Sequence, residues 1–165
     1  MNLTEENYDE IDFFYILKNH GWSTCIIYKN KDLYFMEITH VISSNPIDIL
    51  LDRLIALING ATEVDFSWYD EPGEYKWNIK RNQKQQHKIN VSITDCLHYD
   101  SEIKSEIVTL EFEVKLRLFL ICVLSQMQKI NDSMSEKSFK KNRQGDFPFY
   151  AFNKFKKAYN KVYEK

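Results

Sequence analysis

Residues 64–79 read VDFSWYDEPGEYKWNI. Val64, Phe66 and Trp68 share one parity along the first half, and Tyr75, Trp77 and Ile79 share one along the second. Successive side chains of a strand point to opposite faces, so each triplet lines a single surface. Between the two runs, Pro72-Gly73 has the residue order of a type II turn across Glu71–Glu74. Proline supplies a φ of about −65° at the second position and glycine a positive φ at the third. The stretch is therefore a β-hairpin, and the remaining elements are laid out from it.

Upstream, Ile11–Leu17, Trp22–Lys29 and Leu33–His40 are short strand-like runs, linked by the turn signals Asn19-His20-Gly21 and Asn30-Lys31. The first is mixed: Ile11, Phe13, Tyr15 and Leu17 lie on one face, and Phe14 and Ile16 on the other. Asn45-Pro46 then opens a helix, Asn as its N-cap and Pro at the first helical position, with Asp48 in the first turn. Ile47, Leu50, Leu51, Leu54, Ile55 and Ile58 form one apolar stripe that ends at Gly60.

Downstream of the hairpin, His87, Ile89, Val91 and Ile93 alternate as a third strand, and Val108, Leu110, Phe112 and Val114 as another, with 95–106 between them read as a loop. At Leu116 the period becomes helical, through Phe119, Leu120, Val123, Met127 and Ile130. Asp146-Phe147-Pro148 begins a last helix with Phe152, Phe155, Tyr159 and Val162 along its apolar edge. The expected fold is α+β: a single antiparallel sheet of about six to seven strands, with about three helices packed mainly on one face. Residues 1–165 make one domain, with 1–10 as a mobile lead-in and 132–145 as a flexible polar loop.

A chain of 165 residues can bury a real core, and 44% hydrophobic with 15% aromatic residues is a globular composition. There is no βαβ rhythm with a glycine-rich turn, so a dinucleotide fold is not expected. No apolar run reaches the ~18 residues of a membrane span, and the acidic start MNLTEENYDE has no apolar core of a signal peptide. Cys25, Cys96 and Cys122 are odd in number and lack CxxC spacing, so they read as reduced thiols in a cytoplasmic protein. The net charge of −2 hides an asymmetry: from Glu136 onward nine Lys/Arg face three acids, and residues 1–135 carry −8. A solvated lysine face on the last helix accounts for the basic part, so nucleic acid is not the expected partner.

Three clusters carry possible chemistry. Asp70, Glu71 and Glu74 gather at the hairpin turn beside Trp68, Tyr75 and Trp77. Paired carboxylates in unlike environments do acid–base work, whereas aromatic residues flanked by charge are typical interface anchors. His20, His40, His87 and His98 make no metal-ligand spacing, and His87 falls in register with the apolar face of its strand. Cys96 has His98 two residues on, a nucleophile–base pair only if that segment is extended. No metal or organic cofactor is implied.

The core Ser67-Trp68-Tyr69-Asp70-Glu71-Pro72-Gly73-Glu74-Tyr75-Lys76-Trp77 resembles the W-x-x-EPGEY-x-W signature of a family of small bacterial proteins of uncharacterised or immunity-protein-like type. The resemblance extends to His20-Gly21-Trp22, to the helix before Gly60 and to Phe147-Pro148. It implies an α+β fold and a bacterial cytosolic setting, and it supplies no catalytic residues. The expected function is a non-enzymatic binding protein, an immunity protein that neutralises a toxin by protein–protein contact through Trp68, Tyr69, Asp70, Glu71, Glu74 and Tyr75. An acidic body would suit a basic toxin domain. The alternatives are a hydrolase using the turn carboxylates and a structural or assembly subunit.

Overall fold

The computed structural model describes residues 10–42, 44–99 and 102–164, the side chains of 98, 99 and 102–104 apart. It contains two antiparallel sheets and four helices. The first sheet is the meander β1 (Ile11–Leu17), β2 (Trp22–Lys29) and β3 (Asp32–Thr39). After α1 (Pro46–Ile58) comes the second, β4 (Glu63–Tyr69), β5 (Glu74–Arg81), β6 (Lys88–Tyr99) and β7 (Glu102–Lys115). The chain closes with α2 (Leu116–Ser133), α3 (Lys137–Lys140), a 3-10 turn at Gln144–Asp146 and α4 (Phe149–Tyr163).

The α+β class is as expected; the single sheet is not. Every ladder joins strands adjacent in sequence, and β3 lies against β4 without extending either sheet. Alternation shows that a strand has one buried face, but it is silent on whether the strand's free edge pairs. Each sheet turns an apolar inner face to one shared core: Phe13, Tyr15, Cys25, Ile27, Met36 and Ile38 from the first, and the six hairpin residues with Ile89, Val91, Ile93, Leu110, Phe112 and Val114 from the second. Helix α2 spans both, since Phe119 meets Phe13 and Phe112 at ring distances of 6.3 Å each. Tyr15 and Trp68 touch across the sheets at 5.8 Å.

Local chemistry explains the elements that were expected. Asn45 Oδ1 accepts from the amides of Ile47 and Asp48, so it satisfies two of the amides that the start of α1 leaves unpaired. Gly60, at φ +101°, ends α1 where a side chain would be strained. Asn30 and Lys31 both have positive φ, the backbone of a type I′ turn, which matches the twist of β2 and β3.

Five local readings are corrected. The hairpin turn is not type II: Glu71-Pro72 is a cis peptide, Glu71 takes φ +44°, and Gly73 is not in the positive-φ region. Gly73 is there for closeness, because a Cβ on it would lie 2.6 Å from the Cys96 carbonyl oxygen. Of the expected loop at 95–106, residues 95–99 and 102–106 are instead the outer part of β6 and β7, and beyond Cys96, opposite Glu74, no third strand flanks them among the described residues. Residues 132–145 hold the end of α2 and all of α3, whose Phe139 packs against the core. His87 precedes β6 and is exposed, and Val162 on α4 is exposed as well. The lead-in at 1–10, Glu10 excepted, lies outside the described residues. Among the described residues no helix is long and apolar enough to cross a membrane.

Candidate functional site

The hairpin residues singled out in the sequence do not form one exposed tip. Trp68 is buried, and its Nε1 donates to the Pro46 carbonyl at 2.9 Å, tying the hairpin to the start of α1. Trp77 packs on it at 4.9 Å and stacks on Phe66 at 5.3 Å. Trp68 and Tyr75 are therefore core residues, and neither can anchor a partner as expected. The aromatic alternation that made the stretch conspicuous is its inner face.

The three carboxylates also part company. Glu71 is exposed, whereas Glu74 is buried with Lys76 Nζ at 3.9 Å. Asp70 is half-buried, and burial first, then the charge of Asp95, holds its carboxyl above the ordinary range. The same burial, with Asp70 and Asp95 nearby, pushes Tyr75 up to about 12. Asp70 Oδ1 is enclosed without a hydrogen-bond partner. The pairing that emerges is Asp70 with Asp95, a residue that sequence spacing did not connect to the turn. Tyr69 and Asp70 remain partly exposed at the edge of this group.

Cys96 is buried, with Sγ 3.5 Å from Glu106 Oε1, and burial pushes its thiol up. Cys25 is likewise enclosed and raised, and Cys122 is pushed up to about 11. A raised thiol is a poor nucleophile. The side chain of His98, offered as a base for Cys96, lies outside the described residues. A polar knot absent from the sequence reading joins Tyr15, Ser23 and His40. Ser23 Oγ donates to Tyr15 Oη at 2.7 Å, and Tyr15 Oη lies 2.9 Å from His40 Nε2. Ser23 Oγ is also 3.0 Å from His40 Nε2, a nucleophile–base spacing. Ser23 is wholly buried, however, and His40 Nδ1 has no partner to orient the ring. The knot therefore ties β1 and β2 to the end of β3 and presents no reactive group. Among the described residues, no three of His, Cys, Asp and Glu converge as metal ligands.

The feature with the form of a binding site is the outer face of the first sheet. Register places Phe14, Ile26 and Phe35 in one row across β1, β2 and β3. Leu33 and Tyr28 flank the row on one side and Ile16 on the other. Phe35 is 61% exposed, Leu33 53%, Ile16 50% and Phe14 38%. Isolated exposed apolar residues are unremarkable, but a contiguous group on one flat face marks a contact surface. The signal was present in the sequence, in the doubly apolar run of β1.

Comparison with protein-family models, curated proteins and solved structures finds no match to this chain.

Proposed function

We propose that the protein acts by binding another protein through the outer face of β1–β3. The observation that carries this reading is the cross-strand row Phe14–Ile26–Phe35 with its apolar neighbours, surface that the fold itself leaves uncovered. The hairpin's resemblance to immunity-like bacterial proteins supplies the class of partner, a toxin domain held without chemistry in the bacterial cytoplasm. The partner is not met through a bare acidic body: Glu63, Glu106 and Glu113 of the second sheet pair with Lys80, Lys76 and Lys88. The test is capture from cells of the source strain by wild type and by Phe35→Glu, with the fold of both checked by circular dichroism. A toxin domain retained by wild type and lost by the variant supports the reading. Equal capture, or none, removes it.

The second reading, hydrolysis, rests on the raised carboxyl of Asp70 beside Asp95. A carboxyl raised above its ordinary value is shifted in the direction a general acid needs. Its test is turnover of ester, peptide and phosphodiester substrates by the purified protein and by Asp70→Asn. Activity lost in the variant supports it, and inactivity of the wild type removes it.

A further inference from the structure

We infer that the cleft between β1 and the end of α2 is the anchor pocket of this face, taking one bulky apolar side chain of a protein partner, with acidic residues beside it. The inference rests on the binding reading above and names the chemistry of the partner. The cleft has a volume of about 250 Å³, and Phe14, Ile16, Ile26, Ile130 and Phe139 wall it, with Lys129 at the rim. Pockets for whole small ligands run from roughly 300 to 1,000 Å³; this one is the size for a single side chain. Three of its walls, Phe14, Ile16 and Ile26, belong to the exposed face itself, so an occupant of the cleft continues across the sheet.

The pocket is pre-formed. Gln126 Nε2 donates to the Tyr15 carbonyl at 3.1 Å, which fixes α2 against β1. Arg143 Nε donates to the Leu17 carbonyl and its Nη1 to the Phe139 carbonyl, both at 2.9 Å, and its guanidinium lies 4.8 Å from the Phe139 ring. These bonds set the width before anything binds, which lowers the ordering cost of association. They also occupy two outward carbonyls of β1, those of Tyr15 and Leu17, which disfavours addition of a partner strand at that end of the edge. Recognition here is by side chain, not by backbone pairing.

Charge selects the neighbours of the anchor. Lys129 at the rim, and Lys137, Lys140 and Lys141 in and just after α3, are exposed, and none has an ion pair among the described residues. Asp132, one turn from Lys129, is engaged by Gln128 at 2.8 Å. Part of the excess of positive charge after residue 135 thus lies within two residues of Phe139, itself a wall of the pocket. A partner that fills the pocket meets these lysines with Asp or Glu. A nucleic acid would use the lysines but not the aliphatic walls.

The probe is a library of random peptides displayed on phage, panned against the full chain, with the best peptide then measured by fluorescence anisotropy. Recovered peptides are expected to share one bulky apolar residue flanked by Asp or Glu. Ile16→Glu and Phe139→Ala should each weaken the peptide by about tenfold or more. Lys129→Glu combined with Lys140→Glu should weaken it severalfold and flatten its salt dependence. No recovered peptide, peptides without acids, indifference to the lysine reversals, or displacement by an oligonucleotide at equal concentration would each overturn the pocket. Binding lost in Phe35→Asp but intact in Ile16→Glu and Phe139→Ala would also overturn it, while leaving the sheet face as the interface. Binding intact in all of these variants would remove both.

Discussion

The two sheets share one core but have opposite outer faces. On the second, Lys80 pairs with Glu63 at 3.1 Å, Lys76 with Glu106 at 2.9 Å and Lys88 with Glu113 at 3.1 Å, and Ser92 reaches Glu111 at 3.4 Å. On the first, one cluster of Lys18, Thr24 and Glu37 stands at the end of an apolar row. An antiparallel sheet needs only one apolar face to fold, and the ordinary solution is a wet, charged outer side. The second sheet follows that rule where β4, β5, β6 and β7 lie side by side, and departs from it only at Ile107 and Val108, exposed in the outer part of the β6–β7 hairpin. The first breaks it, and its second apolar face is therefore better explained by something outside the fold.

The largest test of this comparison is that the inner faces are equal. Phe13→Ala in the first sheet and Trp77→Ala in the second should each cost about 3–5 kcal/mol, the range for deleting a buried aromatic side chain. Both residues are almost fully buried in the same cluster. Denaturant melts check it; a loss below about 1 kcal/mol for Phe13→Ala would make the first sheet an appendage and spoil the contrast.

The two tight hairpins should differ next. Gly73→Ala puts a methyl 2.6 Å from the Cys96 carbonyl oxygen, which is backbone and cannot swing away. A loss of about 1–3 kcal/mol is expected, as for other overpacked sites. Lys31 holds φ +74° with its side chain exposed, so Lys31→Gly should be neutral or stabilise by up to about 1 kcal/mol. Thermal melts of the two variants should move in opposite directions.

These elements also show what the sequence could reveal. The bounds of β1 and β2 and the cap of α1 follow from alternation and from Asn45-Pro46, because local chemistry decides them. The break between β3 and β4 does not, since pairing of a free edge leaves no mark on side-chain parity. The outer part of the β6–β7 hairpin leaves no alternation in the sequence because no third strand lies beside it to impose one. At the site, the richest motif pointed inward. Trp68 and Tyr75 attract attention because they are aromatic, and their aromatic character serves the core. Phe14 and Ile16 did show as an anomaly in β1, but only the register with Ile26 and Phe35 makes them a surface. Lys129 and Phe139 meet there across chain separations that no spacing rule spans.

A smaller effect separates the sheets by pH. Burial holds His40 below the ordinary histidine value, against the opposing charge of Asp146. Between the two values the unfolded chain binds more protons than the folded one, so stability is lost as pH falls from the ordinary histidine range into that window. Asp70 is raised instead, so the folded state binds more protons just above the ordinary aspartate range, and there acidification favours folding. Melts at about pH 7.5 and 5.5 should show a drop in wild type that shrinks in His40→Gln. In Asp70→Asn the drop should persist over this interval. An undiminished drop in His40→Gln would remove the knot as its source.

The smallest expected effect is the sharpest. Phe35→Thr on the outer face of β3 and Lys80→Thr on the outer face of β5 should each change stability by no more than about 0.5 kcal/mol, as exposed positions do. Threonine suits a strand at either place. Lys80 gives up only a surface ion pair with Glu63, both side chains about half exposed. Phe35 gives up little, because most of its ring already faces water. If Phe35→Thr instead costs as much as a core change, and the cost grows with protein concentration, the face is covered by a second copy of the chain. That outcome would keep the contrast between the sheets but assign the apolar row to self-association. A small cost, independent of concentration, leaves the row open in the isolated protein, as binding of a different partner requires.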